Sequence, residues 1–333
     1  MNKNILYKNV KINNLKKITL TQNELQNDNI NNKEDLIISV LNKSSGFFSQ
    51  LFFMFNHYLY CYNNFINFKL ESSNWLFTYK DGWTDYFEDI NLQFHPHIAK
   101  SHKYNHGNVI FNYTINDYKE IINKIYKYNK TTISKINSIK QELDLNDNNY
   151  DSIFIRRGDK LYSESILINA LDFVKLLLTI NPECKKIFLQ TDDYNTFIEI
   201  DNYLKSINSD IVLLTLCDKN NKGVIVFNIY KYNFIDKTSI YNQNKEYIKT
   251  ILSDIKNTKS VQEMNNCEIY DHTINMIVGL DIVCKSNICI TDYQSNCSRF
   301  IKLYHNNINN VYNVVDKTNS LDLTKKICPS YSF

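Results

Sequence analysis

Ile153-Phe154-Ile155-Arg156-Arg157-Gly158-Asp159-Lys160 is an apolar run of strand length that breaks at once into two arginines, a glycine, an aspartate and a lysine. Short apolar runs that end in turn residues read as strands, so Ser152 to Ile155 is expected to be a buried strand that delivers the charged cluster to its carboxyl end. Further along, similar runs alternate with helical patterns. Strands are expected at Lys186 to Leu189, Ile211 to Leu214, Ile288 to Ile290 and Val311 to Val315. Helices are expected over Ile166 to Leu178, Asn195 to Lys205, Lys245 to Ile255, His272 to Cys284 and Cys297 to His305. This alternation predicts a doubly wound, Rossmann-like α/β domain with a parallel sheet, whose ligands sit at the carboxyl ends of its strands.

The amino-terminal half reads differently. Residues 1–43 are polar and weakly periodic and are expected to form a leader or cap. Ser44 to Gln50 is a loop signal, followed by a helix from Leu51 to Asn63 and a strand from Phe65 to Leu70. Trp75 to Phe87 is aromatic and turn-rich, and His95 to Gly107 is expected to be irregular. Asp117 to Leu143 carries an apolar stripe that predicts one long helix. The polar run 144–149 is the best linker, giving an acceptor-side α/β domain over 44–145, a nucleotide-sugar domain over 146–320 and a tail over 321–333.

A chain of 333 residues suits two domains of ordinary size. Hydrophobic residues at 43% and charged residues at 22% are ordinary for a globular protein and argue against disorder. The formal net charge of +3, without basic blocks, excludes nucleic acid as the expected partner. No apolar run has the length of a signal peptide or a membrane span: Leu51 to Tyr62 is interrupted by Asn56 and His57. A soluble, cytoplasmic protein is expected. The 8 cysteines include no Cys-x-x-Cys pair, so zinc is not expected, and free thiols in a reducing compartment are the first reading, with one or two carboxyl-terminal disulfides as the alternative.

Adjacent arginines at a strand end suit a diphosphate, because each guanidinium offers forked donors to phosphate oxygens. Gly158 permits the turn that follows, and Glu164 comes close enough for its carboxylate to serve the same site as Asp159. Taken alone, the cluster is equally an ordinary ion-pair group on a loop. Two more strand ends are polar, however. Lys186 to Leu189 runs into Gln190-Thr191-Asp192-Asp193, and Ile288 to Ile290 runs into Thr291-Asp292-Tyr293-Gln294-Ser295-Asn296, which opens a helix whose amides could hold phosphate.

Strand-Arg156-Arg157-x-Asp159-Lys160 followed by Glu164 resembles the central motif of the α1,6-fucosyltransferases and their bacterial nodulation relatives. Gly46-Phe47-Phe48-Ser49-Gln50-Leu51 resembles the glycine-rich loop of that family, Leu70 to Trp75 with Gly82-Trp83 and Phe87 its strand and tryptophan region, and Leu189 to Asp193 and Tyr293 to Arg299 its later motifs. Together they span about residues 44–315. The resemblance implies a GT-B-like pair of α/β domains facing each other across a cleft. It also implies an inverting, metal-independent transfer of fucose or a related sugar from a GDP-sugar to a glycan or glycoprotein hydroxyl, with no cofactor besides the donor. Glu164 is then the general base. Arg156 and Arg157 hold the diphosphate with Lys160; Asp159, Asp192 and Asp193 orient these groups; Ser295 and Asn296 contact phosphate; and Gly46 brings backbone against the donor. Protein O-fucosylation, or a catalytically silent nucleotide or glycan binder, are the alternatives.

Departures from the pattern fall on donor recognition. Phe154 stands where the family carries histidine, the aspartate of the preceding helix falls nearest Gly279 or Asp281, and Asn296 replaces a glutamine. His95, His97, His102 and His106 lack a recognised ligand spacing and read as loop histidines near the acceptor groove. Trp75 and Trp83 read as aromatic packing, with sugar stacking as the alternative.

Overall fold

The structure, a computed structural model, describes residues 33–105, 113–163, 165–227, 243–249 and 258–323. The chain divides into two units, Met1–Lys127 and Tyr128–Phe333, each of the α/β class.

In the first unit β1 (Leu36–Val40) is central. β2 (Asn67–Glu71) and β4 (Ser101–Asn105) lie parallel on its two sides, and β3 (Asn91–Leu92) pairs antiparallel with β2. β1 falls in the stretch read as a leader and β4 in the stretch read as irregular, so both readings are corrected. The two corrections differ in cause. Leu36-Ile37-Ile38-Ser39-Val40 is itself an apolar, β-branched run of strand length hidden behind the polar residues that precede it. Ser101-His102-Lys103-Tyr104-Asn105, by contrast, has little strand signal of its own and extends because β1 offers it a ladder, Leu36 pairing with Asn67 on one side and Ser101 on the other.

β1 leads through the loop 41–46 into α1 (Phe47–Asn64), which starts one turn before the sequence pattern suggested. Trp75 and Trp83 are each 1% exposed. Trp83 stacks on Phe87 at 4.1 Å and its indole N–H donates to the Glu88 carbonyl at 2.8 Å. Both are core residues, with the indole polar group of Trp83 satisfied as burial requires.

The expected long helix is two helices, α2 (Ile115–Ile125) and α3 (Lys130–Glu142). The Asn129 side chain accepts from the Thr132 amide and caps α3. An Asn at this position favours starting a helix over continuing one. Because the units divide between Lys127 and Tyr128, α3 and the polar run 144–149 both belong to the second unit.

There, all five expected strands are present: β5 (Asp151–Ile155), β6 (Lys186–Thr191), β7 (Val212–Thr215), β8 (Cys289–Thr291) and β9 (Val311–Asn313). They form a parallel sheet in the order β7-β6-β5-β8-β9, the arrangement of a doubly wound, Rossmann-like domain. Every residue of β5 is buried, as helices on both faces demand. Alternation sorts the side chains. Ile153, Ile155, Ile187, Leu189 and Ile290 face one way, against Phe173, Val174 and Leu177 of α5 (Ala170–Ile180) and Ile200 and Leu204 of α6 (Tyr194–Ser206). Full burial of each such side chain stabilises by roughly 2 kcal/mol relative to exposure.

On the other face lie α7 (Asn266–Cys284) and α8 (Asn296–Tyr304). α7 begins ahead of His272 because Asn265 and Glu268 form a reciprocal cap. A four-residue helix, α4 (Lys160–Ser163), follows β5. Among the described residues, no helix is long and apolar enough to cross a membrane.

Candidate functional site

The chain leaves β5 toward β6 on one side, and β8 flanks it on the other. The strand order therefore reverses between β5 and β8, and a crevice is expected outside their carboxyl ends. Arg156 and Arg157 follow β5 at this point and diverge. The buried Arg157 reaches the α5–α6 side, where its guanidinium donates to the Ile168 carbonyl at 2.7 Å. Burial lowers its pKa, against the opposing influence of Tyr247, Asp292, Glu199 and Asp193. Arg156 lies on the α7 side. Its guanidinium is ion-paired with Asp159 at 2.9 Å and with Asp192, and donates to the Val224 carbonyl at 3.4 Å.

The aspartates do more than neutralise Arg156. Asp159 also accepts from the Val226 amide at 3.0 Å, and Asp192 from the amides of Arg157 at 2.7 Å and Val224 at 2.9 Å. The segment 221–226 is thereby strapped over the ends of β5 and β6. Gly158 and Gly223, at φ +64° and +100°, make the close approach: a Cβ on Gly158 would lie 2.2 Å from the Val224 carbonyl oxygen. Asp193 caps α6 and accepts from the Tyr247 hydroxyl at 2.5 Å.

Lys160 opens α4. Glu164 lies outside the described residues. Ser165 donates its amide to the Lys160 carbonyl at 2.8 Å, and the Ile166 amide donates to the Gln294 side chain at 2.8 Å, which ties this loop to the entry of α8. Ser295 is the N-cap of α8 and accepts from the Ser298 amide at 3.1 Å. Its hydroxyl serves the cap, and Asn296 is the first helical residue.

One sequence candidate, Asp281, is not brought to this cluster. Asp281 is buried near the end of α7 and pairs with Lys285 at 3.1 Å. Beside it the Tyr150 hydroxyl donates to the Ile282 carbonyl. Tyr150 precedes β5, so Asp281 belongs to the amino end of the strand, roughly 17 Å along the sheet from Arg156. Gly46 caps α1 in the first unit, with ordinary φ −67° and open space where a Cβ would project.

Of the histidine group, His102 is buried against Asp35 at 3.2 Å, and His95 approaches the Phe65 carbonyl at 3.2 Å. His106 lies outside the described residues. Among the described residues no group of three or more His, Cys, Asp or Glu side chains is placed to hold a metal ion. The seven described cysteines are free thiols, and Cys328 lies outside the described residues.

Three groups beside the arginines had no role assigned from the sequence. His272 on α7 senses the charge of Arg156; burial first, and that charge second, lower its pKa to about 4. Cys297, in the first turn of α8, has its thiol pushed well up by burial, against the opposing charge of Arg156. Asp292, just beyond β8, is raised to about 6, by burial against the opposing effects of the Gln294 amide, Arg157 and Ser298. A polar strand end pointed to Asp292, but no local signal tells which strand end an α7 residue will meet.

Asp292 carries a pH prediction. Between about pH 4 and 6 the folded protein holds a proton that the unfolded chain has released, so this residue's contribution to stability declines as pH rises through about 6. Asp292→Asn, similar in shape to the protonated acid, is expected to gain stability relative to wild type at pH 7.5 but not at pH 4. Urea midpoints at the two pH values test this; an equal offset at both contradicts it.

No protein-family model and no curated protein sequence matches this chain.

Proposed function

We propose that this protein is a glycosyltransferase that binds a nucleoside diphosphate sugar over the β5–β8 switch point. One observation carries the reading. At the carboxyl ends of two adjacent parallel strands lie an oriented guanidinium, Arg156, and the entry to α8, whose first-turn Cys297 feels the Arg156 charge and whose first-turn amides favour negative charge. The two carboxylates that grip Arg156 hold its fork in place, so little conformational freedom is lost when an anion arrives. Two α/β units in one chain support a GT-B-like organisation in which the second unit carries the donor.

In the proposed step Glu164 takes the proton of the acceptor hydroxyl, and the acceptor oxygen bonds to C1 of the sugar as the bond from C1 to the diphosphate breaks. Arg156 and Lys160 neutralise the departing diphosphate, each contributing roughly 3 kcal/mol. The motif resemblance supports a GDP-sugar, fucose or a relative, as donor and a glycan or glycoprotein as acceptor. No metal takes part in the proposed step. A catalytically silent nucleotide or glycan binder is the second reading, favoured by Phe154, which stands where the resembled family carries histidine.

Thermal unfolding with GDP, UDP, GDP-fucose and UDP-glucose tests the donor site, because a ligand of the folded state raises the melting temperature. A rise with GDP-fucose is expected; no rise with any of the four sinks the reading. Glu164→Gln is expected to keep that rise and to lose turnover by about 100-fold or more. Undiminished turnover removes Glu164 from the mechanism, and binding without any turnover in wild type favours the silent binder.

A further inference from the structure

We infer that His272 is a second phosphate-binding side chain of this site and is protonated when the diphosphate is bound. The inference rests on the proposed diphosphate site and adds to it a residue that no motif marks.

The geometry comes from the register of α7 on the sheet. Gly279 lies directly against the Gln190 amide, so close that a Cβ there would fall 1.9 Å from Oε1. This contact pins α7 to the penultimate residue of β6. Toward its C-terminus α7 reaches the amino ends of the strands, as Tyr150 and Ile282 show, so toward its N-terminus it runs to their carboxyl ends. His272, Met276 and Gly279 follow the spacing of one helix face. Seven residues of helix carry His272 roughly 10 Å beyond Gln190, and two residues of strand carry Asp192 roughly 7 Å the same way. His272 thus reaches the level of Arg156 and Asp192, where the Arg156 charge acts on it.

Gln190 and Thr291 flank Phe154 on the α7 side of the sheet. Gln190 Oε1 lies beneath Gly279 of α7, whereas Thr291 Oγ1, at the end of β8, is buried without a hydrogen-bond partner among the described residues. A ligand or water at the strand ends would complete this atom.

The charge that acts on His272 is Arg156 from the end of β5; Arg156 in turn pairs with Asp192 from the end of β6 and Asp159 from the turn, and acts on the Cys297 thiol on α8. The helix that carries His272 adds Asp271 and Glu268, the latter paired with Lys259. On the far part of α7, Lys140 of α3 acts at Asp281, away from this site. In the free protein, burial and then Arg156 hold the imidazole neutral. A diphosphate supplies the opposite charge to both groups and draws a proton onto the ring.

Nucleotide sugars suit the test because their diphosphate has no titration between pH 5 and 8. Calorimetry with GDP-fucose and UDP-glucose, in buffers of different ionisation heat, counts protons exchanged on binding. Wild type is expected to take up about one proton at pH 6 and almost none at pH 8.5. His272→Gln is expected to lose that uptake and to bind about tenfold more weakly at pH 6, with little change at pH 8.5. If His272→Gln does not fold, imidazole NMR titration of wild type gives the second measurement: one histidine ring must shift its midpoint upward when GDP-fucose is added. Binding without proton uptake, or uptake that survives in His272→Gln, overturns the inference and leaves the diphosphate site standing. If neither nucleotide sugar nor inorganic pyrophosphate binds, the site and His272 fall together.

Discussion

Arg156→Ala is expected to weaken nucleotide-sugar binding by about 100-fold or more, because one charged, preorganised donor to a diphosphate is worth roughly 3 kcal/mol. The fold is expected to survive the change. Removing one member of a fully buried ion pair costs about 3–5 kcal/mol, but the Arg156 side chain is 16% exposed and its partners keep other donors. Asp159 retains the Val226 amide, and Asp192 retains the amides of Arg157 and Val224. A stability loss of about 1–2 kcal/mol is therefore expected, smaller than the binding loss. Arg156→Lys keeps the charge without the fork and is expected to recover only part of the affinity. Calorimetry with GDP-fucose beside urea unfolding separates the two effects. Affinity within about twofold of wild type means that Arg156 does not hold the donor.

Gly158→Ala acts through stability. At φ +64° an alanine carries a backbone penalty of about 1–2 kcal/mol, and its Cβ overlaps the Val224 backbone at 2.2 and 2.6 Å. That backbone cannot yield cheaply. Asp159 and Asp192 hold it from one side, and Gly223 already packs against the Gly158 backbone. With overpacking at about 1–3 kcal/mol, a total loss of roughly 3–4 kcal/mol is expected, with a fall in melting temperature on the order of 10 °C. Gly46→Ala is the control: with open space at its Cβ and an ordinary φ, it is expected to stay within about 0.5 kcal/mol of wild type. Equal stability of Gly158→Ala and wild type contradicts the strap over the strand ends.

The same residues divide what the sequence reveals from what it conceals. Lys186 to Leu189 and Ile288 to Ile290 announce strands because each is an unbroken apolar run closed by polar punctuation, and all five strands of the second unit are found where such runs lie. The first unit is harder to read: Ser101-His-Lys-Tyr-Asn105 becomes a strand because β1 offers it a ladder, not because its residues demand one. Asp281 shows the limit of motif spacing. Counting residues back from a motif gives a position along a helix, not the end of the sheet to which that position points.

By itself, the sequence determined the alternation of strand and helix, the parallel sheet of the second unit and the arrival of charged residues at three of its strand ends. These follow from local hydrophobic runs and turn residues, which act over a few neighbours. Only the tertiary structure decided that Arg156 and Arg157 part to opposite faces, that Asp159 and Asp192 strap down Val224 and Val226, and that His272 rather than Asp281 feels the charge of Arg156. Each of these depends on the register between segments tens of residues apart. Packing and pairing across the sheet select that register, and no single segment encodes it.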